Sequence, residues 1–247
     1  MLKIYRKIRG DDILLVIFDL DGTLVDSRLD LANSVNGMLR HFGRPELPID
    51  VIASYIGDGA PMLIRRALAD PADETLHSAL DFFLVYYRAH KLDTTLIYPG
   101  IVEALRAIRI PGNGAGLERR MAVLSNKPVN PSRAIVEALG LGEFFAQIYG
   151  GNSFTTKKPD PLGALVLARE NGVEPRQTLS VGDSEIDVLT ARNAGMWSCG
   201  VTYGFAPHSL ERVRPDVLVD SPRELPLIFS NQPPDFSNQP LDPEKHH

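Results

Sequence analysis

Apolar positions along this chain change period as the chain proceeds. Ile13-Leu14-Leu15-Val16-Ile17-Phe18 is a short, β-branched apolar run, which predicts a buried strand over 13–18. Across 28–96 the period is helical. Leu29, Leu31, Ala32, Val35, Met38, Leu39 and Phe42 fall on one helix, and Gly43 with Pro45 stops it. A second amphipathic stretch covers 62–69. A third covers 76–88, with Leu80, Phe83, Leu84 and Tyr87 on one face. No strand-like run interrupts this region.

From Pro99 onward, helices alternate with short apolar runs. Pro99-Gly100 opens a helix to Ile108, and a Gly-rich loop at 111–116 leads to a strand at 121–124. Then follow a helix at 131–139, a strand at 147–149, a helix at 161–171 and a strand at 177–181. A helix at 186–193 and strands at 198–202 and 217–219 complete the set. This alternation predicts an α/β fold, a parallel sheet covered by helices on both faces. The strand at 13–18 belongs to that sheet, so 28–96 is a helical insertion. The expected division is 1–27 with 97–228 as the core, 28–96 as the insertion and 229–247 as a flexible tail. That tail repeats Phe229-Ser230-Asn231-Gln232-Pro233 as Phe236-Ser237-Asn238-Gln239-Pro240, too few copies for a repeat architecture.

Composition narrows the function classes. A chain of 247 residues, 44% hydrophobic, has material for a large core. Its net charge of −5 and lack of a long basic run argue against nucleic acid or an anionic membrane as partner. Cys199 is the only cysteine, which excludes an intrachain disulfide and a Cys-rich zinc site; it reads as a small buried residue in a reducing compartment. The basic N-terminal segment (Lys3, Arg6, Lys7, Arg9) precedes an apolar run too short for a signal peptide, followed by Asp19 and Asp21 and lacking a cleavage site. A cytoplasmic protein, monomer or homodimer, is the expectation. His246-His247 reads as a tag remnant without a metal role.

Four segments place polar cargo at strand ends or helix starts. They are Asp19-Leu20-Asp21-Gly22-Thr23, Ser125-Asn126-Lys127-Pro128, Lys157-Lys158-Pro159-Asp160-Pro161 and Gly182-Asp183-Ser184-Glu185-Ile186-Asp187. Taken singly, each has a structural explanation: turn acids, a capping serine, solvated lysines including Lys127, acids on a first helical turn. Together, they meet at the carboxyl edge of one sheet, where open α/β sheets hold ligands. The chemistry that fits is phosphoryl transfer to a carboxylate. Asp19 and Asp183 offer hard oxygen ligands to Mg²⁺, Ser125 and nearby N–H groups hold phosphate oxygens, and Lys158 adds positive charge.

In this order, the four segments resemble the motifs of the haloacid-dehalogenase superfamily of phosphohydrolases. The resemblance implies a Rossmann-like core with an inserted helical cap that closes over the site. It also implies Asp19 as nucleophile and Asp21 as general acid, then base. Ser125 would bind the phosphoryl group and Lys158 would orient and neutralise. Mg²⁺ would be held by Asp19, the backbone carbonyl of Asp21 and Asp183, with Asp187 either a ligand through water or a support.

Within that superfamily the chain looks most like the phosphoglycolate phosphatase branch. The supporting strings are Asp19 through Ser27, Ile56-Gly57-Asp58-Gly59-Ala60, Arg66-Ala67-Leu68 and Val201-Thr202-Tyr203-Gly204, together with the second and third segments above. That likeness implies hydrolysis of a small phosphorylated metabolite, 2-phosphoglycolate first. Gly57, Asp58 and Gly59 would present N–H donors to the substrate, Arg66 would meet its carboxylate, and Thr23 and Asn126 would join the substrate-binding set. The long loop at 111–120 and the repeated tail depart from the pattern without touching the motifs. Alternatives that keep the motif set are a phosphatase of a sugar phosphate or nucleotide, a sugar-phosphate mutase, and a non-catalytic phosphate-binding protein. A metal-free dehalogenase would not require a second acid at position 21.

Overall fold

The computed structural model describes residues 1–109 and 118–229. The chain opens with β1 (Lys3–Ile4) and β2 (Leu15–Phe18). It leaves the sheet through β3 (Val25–Asp26) into α1 (Arg28–His41), α2 (Ile49–Ala53), α3 (Ala60–Ala67) and α4 (Asp73–His90), and returns through β4 (Leu96–Ile97). The remainder alternates: α5 (Ile101–Arg109), β5 (Arg120–Leu124), α6 (Val129–Ala138), β6 (Gln147–Tyr149), α7 (Leu162–Glu170), β7 (Thr178–Gly182), α8 (Glu185–Asn193), β8 (Trp197–Val201), α9 (Ser209–Arg212) and β9 (Val217–Val219).

Every residue of β2 is buried because both faces of its sheet are covered. Val16 and Phe18 join one apolar cluster with Met121, Val123, Leu179, Val181 and Ile101. Leu15 and Ile17 point the other way, to Ala122, Leu124, Ala164, Leu167 and Ala191. The seven strands lie in the order β1-β9-β8-β7-β2-β5-β6. All pairs are parallel except β1 with β9. From β2 the chain builds β5 and β6 on one side, then crosses to β7, β8 and β9 on the other. The carboxyl end of β2 is therefore a topological switch point, the place where such sheets open a crevice.

The insertion has its own core. Leu31, Val35, Met38 and Leu39 of α1 pack with Ile52, Leu63, Ile64, Leu76, Phe83 and Tyr87 from the other three helices. Its entry and exit are joined by a two-stranded ladder, Val25 opposite Ile97 and Asp26 opposite Leu96. Just beyond, the buried Asp30 carboxylate accepts hydrogen bonds from the backbone N–H and hydroxyl groups of both Thr94 and Thr95, at 2.5 to 3.1 Å.

Sequence periodicity missed α2, β1 and the β3–β4 ladder, all too short to carry a period. The helix expected at 131–139 starts earlier, at Val129, because Pro131 sits in its first turn, where a missing N–H has no intrahelical partner to lose. The same reasoning moves the start of α3 back to Ala60, ahead of Pro61. Cys199 lies buried within β8. The loop at 111–116 and the tail from 230 lie outside the described residues.

Candidate active site

Three neighbouring strands deliver the polar groups. Asp19 follows β2, with its N–H donating to the Val181 carbonyl at 2.9 Å. Ser125 follows β5, with its N–H donating to the Tyr149 carbonyl at 3.0 Å, and Asp183 follows β7. Lys158 enters from the loop before α7. Its ammonium reaches Asp187 Oδ1 at 2.6 Å and Asp19 Oδ1 at 3.0 Å, and only 5% of its side chain is exposed.

Asp187 is fixed by its position in α8. Ser184 caps that helix and donates its N–H and hydroxyl to Asp187 Oδ2, at 3.2 and 2.7 Å. Both Asp187 oxygens are thus engaged, one by the cap and one by Lys158. Asp183 Oδ2 accepts from the Phe205 N–H at 2.6 Å and the Ala206 N–H at 3.4 Å.

Asp19, Asp183 and Asp187 each bring a carboxylate oxygen within 4.8 Å of the others. Burial pushes Asp19 up to about 6; Lys158 opposes the rise, and the Asp187 and Asp21 charges add to it. Burial, with the charges of Asp187 and Asp19, pushes Asp183 up to about 8. For Lys158, burial alone disfavours the ammonium, but Asp187 and Asp19 reverse that and hold it above the ordinary lysine value. The cluster carries more negative charge than one lysine offsets.

The donor set fits a hard cation. Asp19 Oδ1 is buried and receives no well-directed hydrogen bond, although Lys158 stands beside it. Glycines make the room. A Cβ on Gly22 or Gly204 would collide with the Asp183 carboxylate, and one on Gly182 would collide with that of Asp187. All-oxygen ligation by a few carboxylates suits Mg²⁺.

Asp21 points away from this cluster. Ser27 donates to its Oδ1 at 2.5 Å, and the Lys127 ammonium contacts both of its oxygens, at 2.9 and 2.7 Å. The two acids that follow β2 therefore have separate cationic partners, Lys158 for Asp19 and Lys127 for Asp21.

The insertion closes the other side of a cavity lined by Asp19, Asp21, Ser125, Asn126, Lys127 and Asp183. Opposite them stand Leu31, Ile56, Gly57, Gly59, Leu63, Phe83, Leu84 and Tyr87. Asn126 ties the two sides together, donating its amide to the Gly57 carbonyl at 2.9 Å and the Lys158 carbonyl at 3.1 Å. Lys157 adds a second tie to the Asp58 carbonyl at 2.5 Å. Gly59 has φ +83°, and a Cβ there would stand 3.0 Å from the Asn126 carbonyl oxygen.

A family model described as haloacid dehalogenase-like hydrolase matches residues 16–201. The chain belongs to that family. The haloacid dehalogenase-like segment holds the strand ends and the helical insertion together. Among similar proteins, the phosphoglycolate phosphatase of Pseudomonas putida is 38% identical over 219 residues, covering 85% of this chain and 78% of its own. That of Chromobacterium violaceum is 38% identical over 221 residues, covering 87% and 96%. The crystal structure of a predicted phosphoglycolate phosphatase from Haemophilus somnus 129pt superposes with a TM-score of 0.81 at 30% identity, covering 89% of this chain and 99% of that one. Among the described residues, no helix is long and apolar enough to cross a membrane.

Three residues expected at the substrate do not line the cavity of this haloacid dehalogenase-like chain. Arg66 donates to Asp58 Oδ2 at 2.5 Å and to the Tyr55 carbonyl at 3.1 Å, so the two side chains satisfy each other within the insertion. Thr23 is fully buried beneath the β2 turn, its carbonyl accepting from the Tyr203 hydroxyl at 3.1 Å. Lys127 is the reverse case. Sequence reasoning left it in solvent, yet only 5% of its side chain is exposed and it pairs with Asp21. The available signal was its place beside Ser125-Asn126, directly after a central strand.

Proposed function

We propose that this protein is a Mg²⁺-dependent phosphoric monoester hydrolase acting on a small phosphorylated metabolite, with 2-phosphoglycolate as its substrate and glycolate and phosphate as products. The observation that carries this reading is the separation of the two acids after β2, one beside the acidic cluster and Lys158, the other beside Lys127. The names of the relatives supply the substrate.

Asp19 acts as nucleophile. Its carboxylate oxygen attacks phosphorus, a P–O bond forms to Asp19, and the bond to the substrate oxygen breaks. Asp21 gives its proton to that leaving oxygen. Asp21 then takes a proton from water, whose oxygen attacks phosphorus. This frees phosphate and restores Asp19. Ser125 and the N–H groups after it hold the phosphoryl oxygens, and Lys158 orients Asp19. Asp19, Asp183 and the Asp21 backbone carbonyl would hold Mg²⁺, supported by Asp187, and the bound ion would offset the charge of acids and phosphate.

Residues 28–96 serve in this reading as a cap over a core formed by 1–27 and 97–228. Gly57 and Gly59 bring backbone close to the substrate and keep bulk water out. A small metabolite, rather than nucleic acid or a membrane, is the partner, and the cytoplasm is the setting.

Replacing Asp19 by Asn tests the reading. Mg²⁺-dependent hydrolysis of 2-phosphoglycolate should fall on the order of 10⁴-fold or more. Full activity in Asp19→Asn would remove Asp19 as nucleophile.

A further inference from the structure

Lys127 and Tyr87 meet across the boundary between sheet and insertion, and the phosphoryl chemistry above leaves their contact unused. The Lys127 ammonium, bound to both Asp21 oxygens, also stands 4.7 Å from the centre of the Tyr87 ring. Tyr87 belongs to α4 and is 4% exposed, and its buried hydroxyl has no hydrogen-bond partner. A buried hydroxyl left unpaired is costly, and the residue that carries it is one of those lining the cavity. Among the described residues that line this cavity, Lys127 is the one lysine or arginine.

Position decides what these groups can meet. In the reaction proposed above, Asp21 protonates the leaving oxygen. Beyond that oxygen the cavity is lined by Lys127 and Tyr87 as well as Asp21, which puts both groups within the space open to the rest of a small substrate. Phe83, Leu84 and Leu31 share that wall, so a charge held there is shielded from water and felt strongly.

We propose that the Lys127 ammonium and the Tyr87 hydroxyl form a subsite for a second acid group on the substrate, a carboxylate one methylene beyond the leaving oxygen. The subsite rests on the phosphatase reading and sharpens it into selectivity for short phosphoacids. It is assembled from both parts of the molecule, so it exists only when the insertion is seated on the sheet. Burial pushes the Tyr87 phenol up to about 12, with Lys127 restraining the rise, so it remains an O–H donor. Burial works against the Lys127 charge, but Asp21 and Tyr87 hold its ammonium above the ordinary lysine value.

The test compares kcat/KM for 2-phosphoglycolate and for its neutral analogue 2-hydroxyethyl phosphate. The wild type should prefer the acid. Tyr87→Phe keeps the ring and its packing, and should cut that preference about tenfold, chiefly through KM for the acid. Lys127→Met should cut it about a hundredfold. Should Lys127→Met fail to fold, Tyr87→Phe alone decides. Equal losses on both esters would overturn the subsite and assign these groups to the shared phosphoryl chemistry. A wild type indifferent to the acid group overturns it while leaving the phosphatase reading in place. Hydrolysis of neither ester overturns the phosphatase reading itself. Calorimetric binding of the same two compounds then judges the subsite, and equal affinities overturn it.

Discussion

The two walls of the cavity differ in how much of their polarity is already engaged. On the sheet side, Asp19, Asp183 and Asp187 crowd around Lys158, while Asp21 is gripped by Ser27 and Lys127. On the insertion side the wall is mostly Leu31, Ile56, Leu63, Phe83 and Leu84, with the Tyr87 hydroxyl idle among them. A substitution on the first wall strands a buried partner. On the second wall it changes shape or a single donor. In the proposed reading, reaction type is held where groups constrain one another, and selectivity where they do not.

The sharpest way to break this contrast is at Lys158. Lys158→Met leaves Asp19 and Asp187 without their shared cation. We expect kcat/KM to fall ~10²–10³-fold, with a stability loss of about 3–5 kcal/mol in urea titration of the metal-free protein. A variant as stable and active as the wild type would mean that the sheet wall is no more constrained than the other.

Next comes the response to pH and metal. Asp19 at about 6 and Asp183 at about 8 both lie above the ordinary carboxylate value of 3.8. Between about pH 4 and pH 8 these two acids bind more protons in the folded protein than in the unfolded chain, so their contribution to stability falls as pH rises through that window. Thermal melts in chelator should show this decline, and Mg²⁺ should flatten it by binding the ionised acids of the folded state. Identical slopes with and without Mg²⁺ would detach the cluster from cation binding.

Asp30 probes the link between the walls. Asp30→Ala removes the acceptor shared by Thr94 and Thr95, and should cost about 2–4 kcal/mol in denaturant melts. An unchanged midpoint would show that the β3–β4 ladder suffices to anchor the insertion.

The smallest effect is expected at Arg66. Its guanidinium pairs with Asp58, and both side chains are about a third exposed. Arg66→Ala should change KM by less than about twofold and stability by at most about 1 kcal/mol. A large rise in KM would bring Arg66 back to the substrate and contradict the apolar reading of the insertion wall.

These expectations also mark what could be read along the chain. Each long apolar period became an element, because burial on one or both faces dictates composition over many residues. The neighbourhood of Asp19, Asp21, Ser125 and Asp183 was legible because each follows a central strand, while Lys158 joins it from the loop before α7 and Asp187 from the first turn of α8. The pairing of Lys127 was not, although the residue follows Ser125-Asn126 directly after a central strand, because its partner Asp21 lies 106 positions earlier. Arg66 misled for the matching reason: its partner Asp58 lies eight residues earlier, on a loop whose direction periodicity does not encode. The β3–β4 ladder pairs residues about seventy positions apart through two-residue strands, too short for any pattern to announce.

That ladder makes the insertion a cassette. Val25 and Asp26 leave the sheet beside Ile97 and Leu96, and the Asp30 clasp closes the loop just beyond. The chain's two crossing points are thus neighbours, so the whole stretch between them can be exchanged without moving either end. If the acids at the sheet edge perform the reaction proposed above, a lineage carrying this scaffold could change its substrates through one contiguous segment of gene and inherit those acids untouched.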